Sequence, residues 1–199
     1  AQERMQIRND QIDQAGGKDG TIRKIMSGVN PQGVRVTSFK KPTEEELSHD
    51  FLWRIHKAAP KRGMIGIFNR SHYEDVLVVR VRNLVPKKVW QKRYEHINNF
   101  ERLLTDNNVT ILKFYLHISK DEQLNRFKMR EDTPHKQHKI TEEDWRNREK
   151  WDDYILAASE MIERTTTRHG PWAIVPAEDK RYARVKVLET VCDRIEAVL

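Results

Sequence analysis

Met64-Ile65-Gly66-Ile67-Phe68-Asn69-Arg70-Ser71-His72-Tyr73-Glu74-Asp75 sets a short apolar run directly against a polar cluster. With Lys61-Arg62-Gly63 before it and Asn69-Arg70-Ser71 after it, the run from Met64 to Phe68 reads as a strand buried on both faces. Such strands belong to parallel sheets, whose ligands bind in the crevice at the carboxyl ends. The Asn69 amide, the Arg70 guanidinium and the Glu74 and Asp75 carboxylates stand at that end. Arg70 can clamp phosphate oxygens with its planar fork, while Glu74 or Asp75 can hold magnesium through water, or a ribose hydroxyl. A solvated loop with internal ion pairs would use the same residue types.

The flanking sequence repeats the strand and helix alternation. Val34 to Phe39, Thr110 to Leu116 and Trp172 to Val175 read as further strands. Helical patterns run from Lys18 to Ser27, from a Thr43 N-cap to Lys57, from Pro86 to Asp106, from a Ser119/Glu122 capping box to about Met129, from Glu142 to Arg164, and from about Arg181 onward. Strands separated by helices predict an α/β fold with a central parallel sheet in three layers. The length predicts one domain over residues 1–199. The polar stretch Ala1 to Gln14, by contrast, makes a poor buried strand, with Met5, Ile7 and Ile12 its only large apolar residues.

Lys and Arg number 37 against 30 Asp and Glu, a formal charge of +7 that favours an anionic partner: nucleotide, polyphosphate or nucleic acid. A single cysteine, Cys192, excludes a disulfide or zinc framework and falls in an apolar helix pattern that predicts burial. No apolar run suits a membrane span and the start shows no signal-peptide core, so a cytoplasmic setting is expected. His72, His135 and His138 fit no zinc spacing and read as surface or lid histidines.

Ala15-Gly16-Gly17-Lys18-Asp19-Gly20-Thr21 has the parts of a phosphate cradle. Glycines let backbone N–H groups converge on oxygens, and a helix starting here adds its positive dipole end. Lys18 would reach the phosphates and Thr21 a magnesium shell. The pattern G-x-x-x-x-G-K-[ST] is met only in part: Ile12 stands where the first glycine belongs and Asp19 follows the lysine. Alone, the segment fits a surface turn ahead of a helix as well.

From Gly16 to the last helix the chain resembles the family-2 polyphosphate kinases. The resemblance rests on Gly16-Gly17-Lys18-Asp19-Gly20-Thr21-Ile22-Arg23, Gly28 to Val34, Phe51-Leu52-Trp53-Arg54, and above all Ile67 to Val81. His117-Ile118-Ser119-Lys120, Trp151-Asp152-Asp153-Tyr154 and Pro171-Trp172 extend it. It implies a P-loop kinase fold with a helical lid at about residues 121–144, and transfer of a phosphoryl group between inorganic polyphosphate and nucleotides, AMP or ADP becoming ADP or ATP. Asn69 with Glu74-Asp75 resembles the group acting on both mono- and diphosphates. The implied cofactor is Mg2+, or Mn2+ in its place, and the implied assembly is a homo-oligomer, dimer or tetramer, with no nucleic acid and no membrane.

By the same resemblance Lys18 and Arg70 would be catalytic, together with Asp13 if it takes the place of the family's magnesium-positioning aspartate. Gly16, Gly17, Lys18, Asp19, Gly20, Thr21, Arg23 and the lid cations Arg126, Arg130, Lys136 and Lys139 would hold phosphates. Asn69, Arg70, Glu74 and Asp75 would hold the nucleotide, and Asp13 and Thr21 the metal. The sequence departs from the family in several places. Gln14 stands at the aspartate position with Asp13 one place off, the strand before the loop is expected to be absent, and His138 and Arg168 replace an aromatic and an acidic residue. A chain joined across missing residues between Gln14 and Ala15 would explain the absent strand; outright divergence with a crippled loop is the rival. An ATP-dependent nucleoside monophosphate kinase and a non-catalytic polyphosphate or nucleic-acid binding protein are the alternative functions.

Overall fold

The computed structural model describes residues 4–10 and 17–197, with the backbone alone for 4–10, 136, 138 and 139. Asp13, Gly16 and the Gln14 to Ala15 junction lie outside the described residues. In chain order the elements are β1 (Arg4–Asp10), α1 (Lys18–Ile25), β2 (Val34–Ser38), α2 (Glu44–Leu47), α3 (Trp53–Lys57), β3 (Ile65–Asn69), α4 (Val78–Val81), α5 (Lys87–Asp106), β4 (Val109–His117), α6 (Lys120–Glu131), α7 (Glu142–Glu149), α8 (Trp151–Thr165), β5 (Trp172–Pro176) and α9 (Lys180–Glu196). The strands make one parallel sheet in the order β2-β3-β1-β4-β5.

Strand β1 corrects the expectation that Ala1 to Asp10 holds no strand. It lies at the sheet centre, with Met5 opposite Ile65 on one side and Thr110 on the other. The polar side chains argued against burial, but strand pairing is made by backbone groups. Two neighbouring ladders would each leave a row of buried N–H and C=O groups unsatisfied without a strand between them.

Helices cover both faces of the sheet. On one, Phe114 and Leu116 of β4 pack with Ile22 and Ile25 of α1 and with Ala183, Val187 and Val191 of α9. On the other, Tyr115 and Trp172 join Trp90, Tyr94 and Ile97 of α5 and Tyr154, Ala157 and Met161 of α8. A third cluster joins Phe68 of β3 and Ile111 of β4 to Ile55 of α3 and Phe100 of α5. Neighbouring residues Ile67 and Phe68 therefore enter opposite layers, as the two-sided reading of that run requires.

Two expected helices are each split. The capping box at Thr43 forms as read, with Thr43 N–H donating to Glu46 Oε2 at 2.9 Å, but α2 ends at Leu47 and α3 starts afresh at Trp53. The Glu142 to Arg164 pattern breaks at Lys150, whose φ of −94° and ψ of 24° leave the helical region. Cys192 is exposed, against the expectation of burial. The apolar stripe of α9 is wider than its contact, so Val187 and Val191 face the sheet while Val185 and Leu188 stay outside.

Candidate active site

Gly17 caps α1 with φ 91° and ψ 18°, the left-handed region that favours glycine, and so turns the chain into the helix. Lys18 and Thr21 follow, 6% and 3% exposed. The two residues picked for phosphate and metal thus both lie within the loop-side packing. The first-turn amides of α1 carry the helix's positive end, which favours an anion. Arg23 is exposed in the last turn of α1, away from those amides.

Strand β3 delivers its cluster beside this loop. Asn69 ends the strand and its Nδ2 donates to Asp19 Oδ1 at 2.7 Å, tying the first turn of α1 to the carboxyl end of β3. Arg70 follows with φ 62°, an uncommon backbone conformation for a residue that carries a Cβ and one worth on the order of 1 kcal/mol of strain. The Ser71 hydroxyl then accepts from Tyr73 N–H at 3.2 Å and opens the 3-10 turn His72–Asp75. Lys18, Asp19, Asn69 and Arg70 are thereby brought to one edge of the sheet, where open parallel sheets bind ligands.

Asp75 does not join them as a free carboxylate. Its Oδ1 accepts from Arg93 Nη1 of α5 at 2.9 Å, and its backbone carbonyl accepts from the same nitrogen at 3.0 Å. Burial pushes the carboxyl up to about 6, opposed by the Arg93 and Arg54 charges. The carboxylate expected to hold the nucleotide is therefore paired with Arg93 in the structure. Among the described residues Glu74 makes no ion pair, which leaves it the available carboxylate of the two.

Beneath the cluster lies a buried charge network that the sequence reading did not single out. Lys113 Nζ, from β4, donates to Glu101 Oε2 at 2.8 Å, to Tyr73 OH at 3.0 Å and to the Thr165 carbonyl at 2.7 Å. Tyr73 OH donates to Glu101 Oε1 at 2.6 Å. All these side chains are 1% exposed or less, so the turn bearing Glu74 and Asp75 is anchored to β4, α5 and α8 at once. The available signal was a lysine inside the apolar run Ile111-Leu112-Lys113-Phe114. His72, expected at the surface, is fully buried here, stacked on Tyr73 at 4.7 Å.

The expected lid cations divide. Arg126 is 2% exposed; its Nη2 donates to the Ala177 and Glu178 carbonyls at 2.6 and 2.9 Å, and its Nε to Glu122 at 2.6 Å. Arg126, expected among the phosphate-holding cations, is thus engaged by the connection between β5 and α9. Arg130 is half-buried on the same helix, and Lys136 and Lys139 lie on the 3-10 turn Pro134–Lys139. The segment is packed down through Phe127, whose ring meets Trp145 at 5.1 Å.

A parallel sheet of this order with a basic loop at the head of α1 defines a phosphate-binding domain of the P-loop kinase kind. The sequence profile of the family described as Polyphosphate kinase 2 matches residues 7–198. An AMP/ADP-polyphosphate phosphotransferase of Meiothermus ruber is 53% identical over 184 residues, 92% of this chain and 69% of that protein. A polyphosphate:AMP phosphotransferase of Pseudomonas aeruginosa is 46% identical over 183 residues, 92% of this chain but 37% of its own length. The crystal structure of polyphosphate kinase 2 from Arthrobacter aurescens TC1 superposes with a TM-score of 0.97 at 42% identity, covering 100% of this chain and 70% of that one. The chain belongs to the polyphosphate kinase 2 family.

Proposed function

We propose that this chain transfers a phosphoryl group between inorganic polyphosphate and a nucleotide, taking AMP or ADP to ADP or ATP. The observation that carries the reading is the Asn69 to Asp19 hydrogen bond, which places the Arg70 cluster at the head of the Lys18 helix. In the forward direction an acceptor phosphate oxygen forms a bond to the terminal phosphorus of polyphosphate. The bond to the penultimate phosphate breaks, and the polymer leaves one unit shorter. The attacking oxygen is already anionic at neutral pH, so no side chain has to remove a proton, and catalysis reduces to positioning and charge stabilisation. The α1 amides and Lys18 hold the transferring group, and Arg70 neutralises charge that spreads onto its oxygens. Glu74 orients the nucleotide, while Arg130, Lys136 and Lys139 approach the polymer.

A magnesium-type ion needs few protein ligands where phosphates complete its shell. The described residues fit that demand: they hold no cluster of three or more His, Cys, Asp or Glu side chains, yet Thr21 is buried at the loop. Thr21 would hold the ion, with Asp13, outside the described residues, as its second ligand. When bound, the ion neutralises bridging phosphate oxygens.

Supplying polyphosphate with AMP or ADP and following ADP and ATP tests the reading. Product formation is expected; ATP-dependent turnover of monophosphates without polyphosphate use would replace it with the monophosphate kinase. Salt-sensitive polyphosphate binding with no turnover would replace it with a binding protein. The same reading includes a homo-oligomer and a cytoplasmic setting. Among the described residues no helix is long and apolar enough to cross a membrane.

A further inference from the structure

Arg82 has no part in the chemistry above, yet it stands between the two halves of the site. It follows α4, which carries the chain on from the His72–Asp75 turn, and its guanidinium crosses to α7. Its Nη2 donates to Asn147 Oδ1 at 2.9 Å and pairs with Glu143 Oε1 at 2.5 Å. Two further contacts close the junction. Tyr154 OH of α8 donates to the same Asn147 oxygen at 3.1 Å, and Lys150, at the break between α7 and α8, donates from Nζ to the Val81 carbonyl at 3.4 Å.

On its inner side the junction borders Glu74. Burial lifts the Tyr154 hydroxyl above the usual tyrosine range; the neighbouring Arg82 guanidinium opposes this, and the Glu74 and Glu143 carboxylates add to it. Tyr154 thus lies within electrostatic reach of the carboxylate that orients the nucleotide. On the outer side, α7 is joined to α6 by the Phe127 and Trp145 rings and by Arg148 Nη1, which donates to Gln123 Oε1 at 2.8 Å. The stretch from α6 to α7 carries Arg130, Lys136 and Lys139. Arg126 fixes its α6 end to the connection between β5 and α9, and Arg82 holds its α7 end to the nucleotide-site turn.

The Glu143 side chain is 62% exposed and that of Arg82 31%, so the pair adds little to stability. What the planar fork supplies is geometry. Glu143 and Asn147 are one turn apart on α7, and a guanidinium that takes both fixes the rotation of that helix as well as its distance. We propose that Arg82 is a positioning residue for the transfer: it couples the nucleotide-site turn to α7, so that a nucleotide against Glu74 steadies the cations that meet the polymer. The inference deepens the reading of Glu74 and of those cations given above and rests on it.

The test compares the full chain with Arg82→Gln, Glu143→Gln and the charge-exchanged pair Arg82→Glu/Glu143→Arg. Hydrogen exchange of the amides of residues 131–149 is followed with and without ADP, and KM is measured for ADP and for polyphosphate. In the unmodified chain ADP alone should slow exchange in this segment. In Arg82→Gln, ADP should bind within about threefold of the parent while that slowing falls on the order of tenfold and the KM for polyphosphate rises by a similar factor. The urea midpoint should stay near the parent's, and the charge-exchanged pair should recover most of both losses. Slowing retained in Arg82→Gln, slowing absent from the unmodified chain, or an equal rise in both KM values overturns the coupling. If the unmodified chain neither binds ADP nor uses polyphosphate, the proposed function falls and the coupling with it. Should Arg82→Gln fail to fold, Glu143→Gln, on an exposed side chain, makes the same comparison.

Discussion

Arg70 meets two demands at one position. Its guanidinium is wanted at the sheet edge, and its backbone sits at φ 62°, where glycine would be more comfortable. Arg70→Gly separates them: the variant should match or exceed the parent's stability by about 1 kcal/mol in urea, while turnover falls at least about 100-fold. Near-normal rates would remove Arg70 from the mechanism. Asp75 titrates with the opposite sign to a normal surface ion pair. Its folded value, about 6, exceeds the ordinary aspartate value of 3.8, so the fold binds this proton more tightly than the unfolded chain does. The group's contribution is therefore greatest below about pH 4 and declines as pH rises toward 6, by up to about 3 kcal/mol. Urea unfolding at pH 4.5 and 7 should show that Asp75→Asn lacks this part of the pH slope; identical slopes would refute the assignment. Lys18, Asn69 and Arg70 could be read from sequence, because glycines and the end of an apolar strand mark where they fall. Arg93 could not, since its link to Asp75 depends on how α5 docks.

Among the elements, the Lys113 network decides how firmly the His72–Asp75 turn is held. Lys113→Met leaves Glu101 buried without its cation and should cost about 3–5 kcal/mol, whereas adding Glu101→Leu should restore most of that loss. If the double variant is as unstable as the single one, the pair contributes by packing alone. Helix starts were legible where a side chain announces them, as at Thr43 and Ser119, whose hydroxyls accept first-turn N–H groups. Helix breaks were less so: Lys150 is neither glycine nor proline, and nothing in the local sequence announces that α7 ends there. On α9 the apolar residues outnumber the places that the sheet offers them. Cys192 should consequently react with a thiol reagent in the folded protein at a rate close to that in urea; strong protection would contradict its exposure.

For the whole molecule, sheet order was the part least open to reading. Periodicity located four strands, but the fifth is written in polar residues and its existence follows from neighbours distant in sequence. Ile7→Pro removes a backbone donor from a strand paired on both sides and should abolish cooperative unfolding and near-ultraviolet dichroism; a native-like melt would mean that β1 is dispensable. The same placement bears on biosynthesis. Met5 lies between Ile65 and Thr110, both made later, so β1 waits as a segment without its two neighbours until β3 and β4 have been synthesised. A greasy strand in that position would invite premature association with other nascent chains, whereas the hydrophilic run here stays wetted until its slot in the sheet is ready.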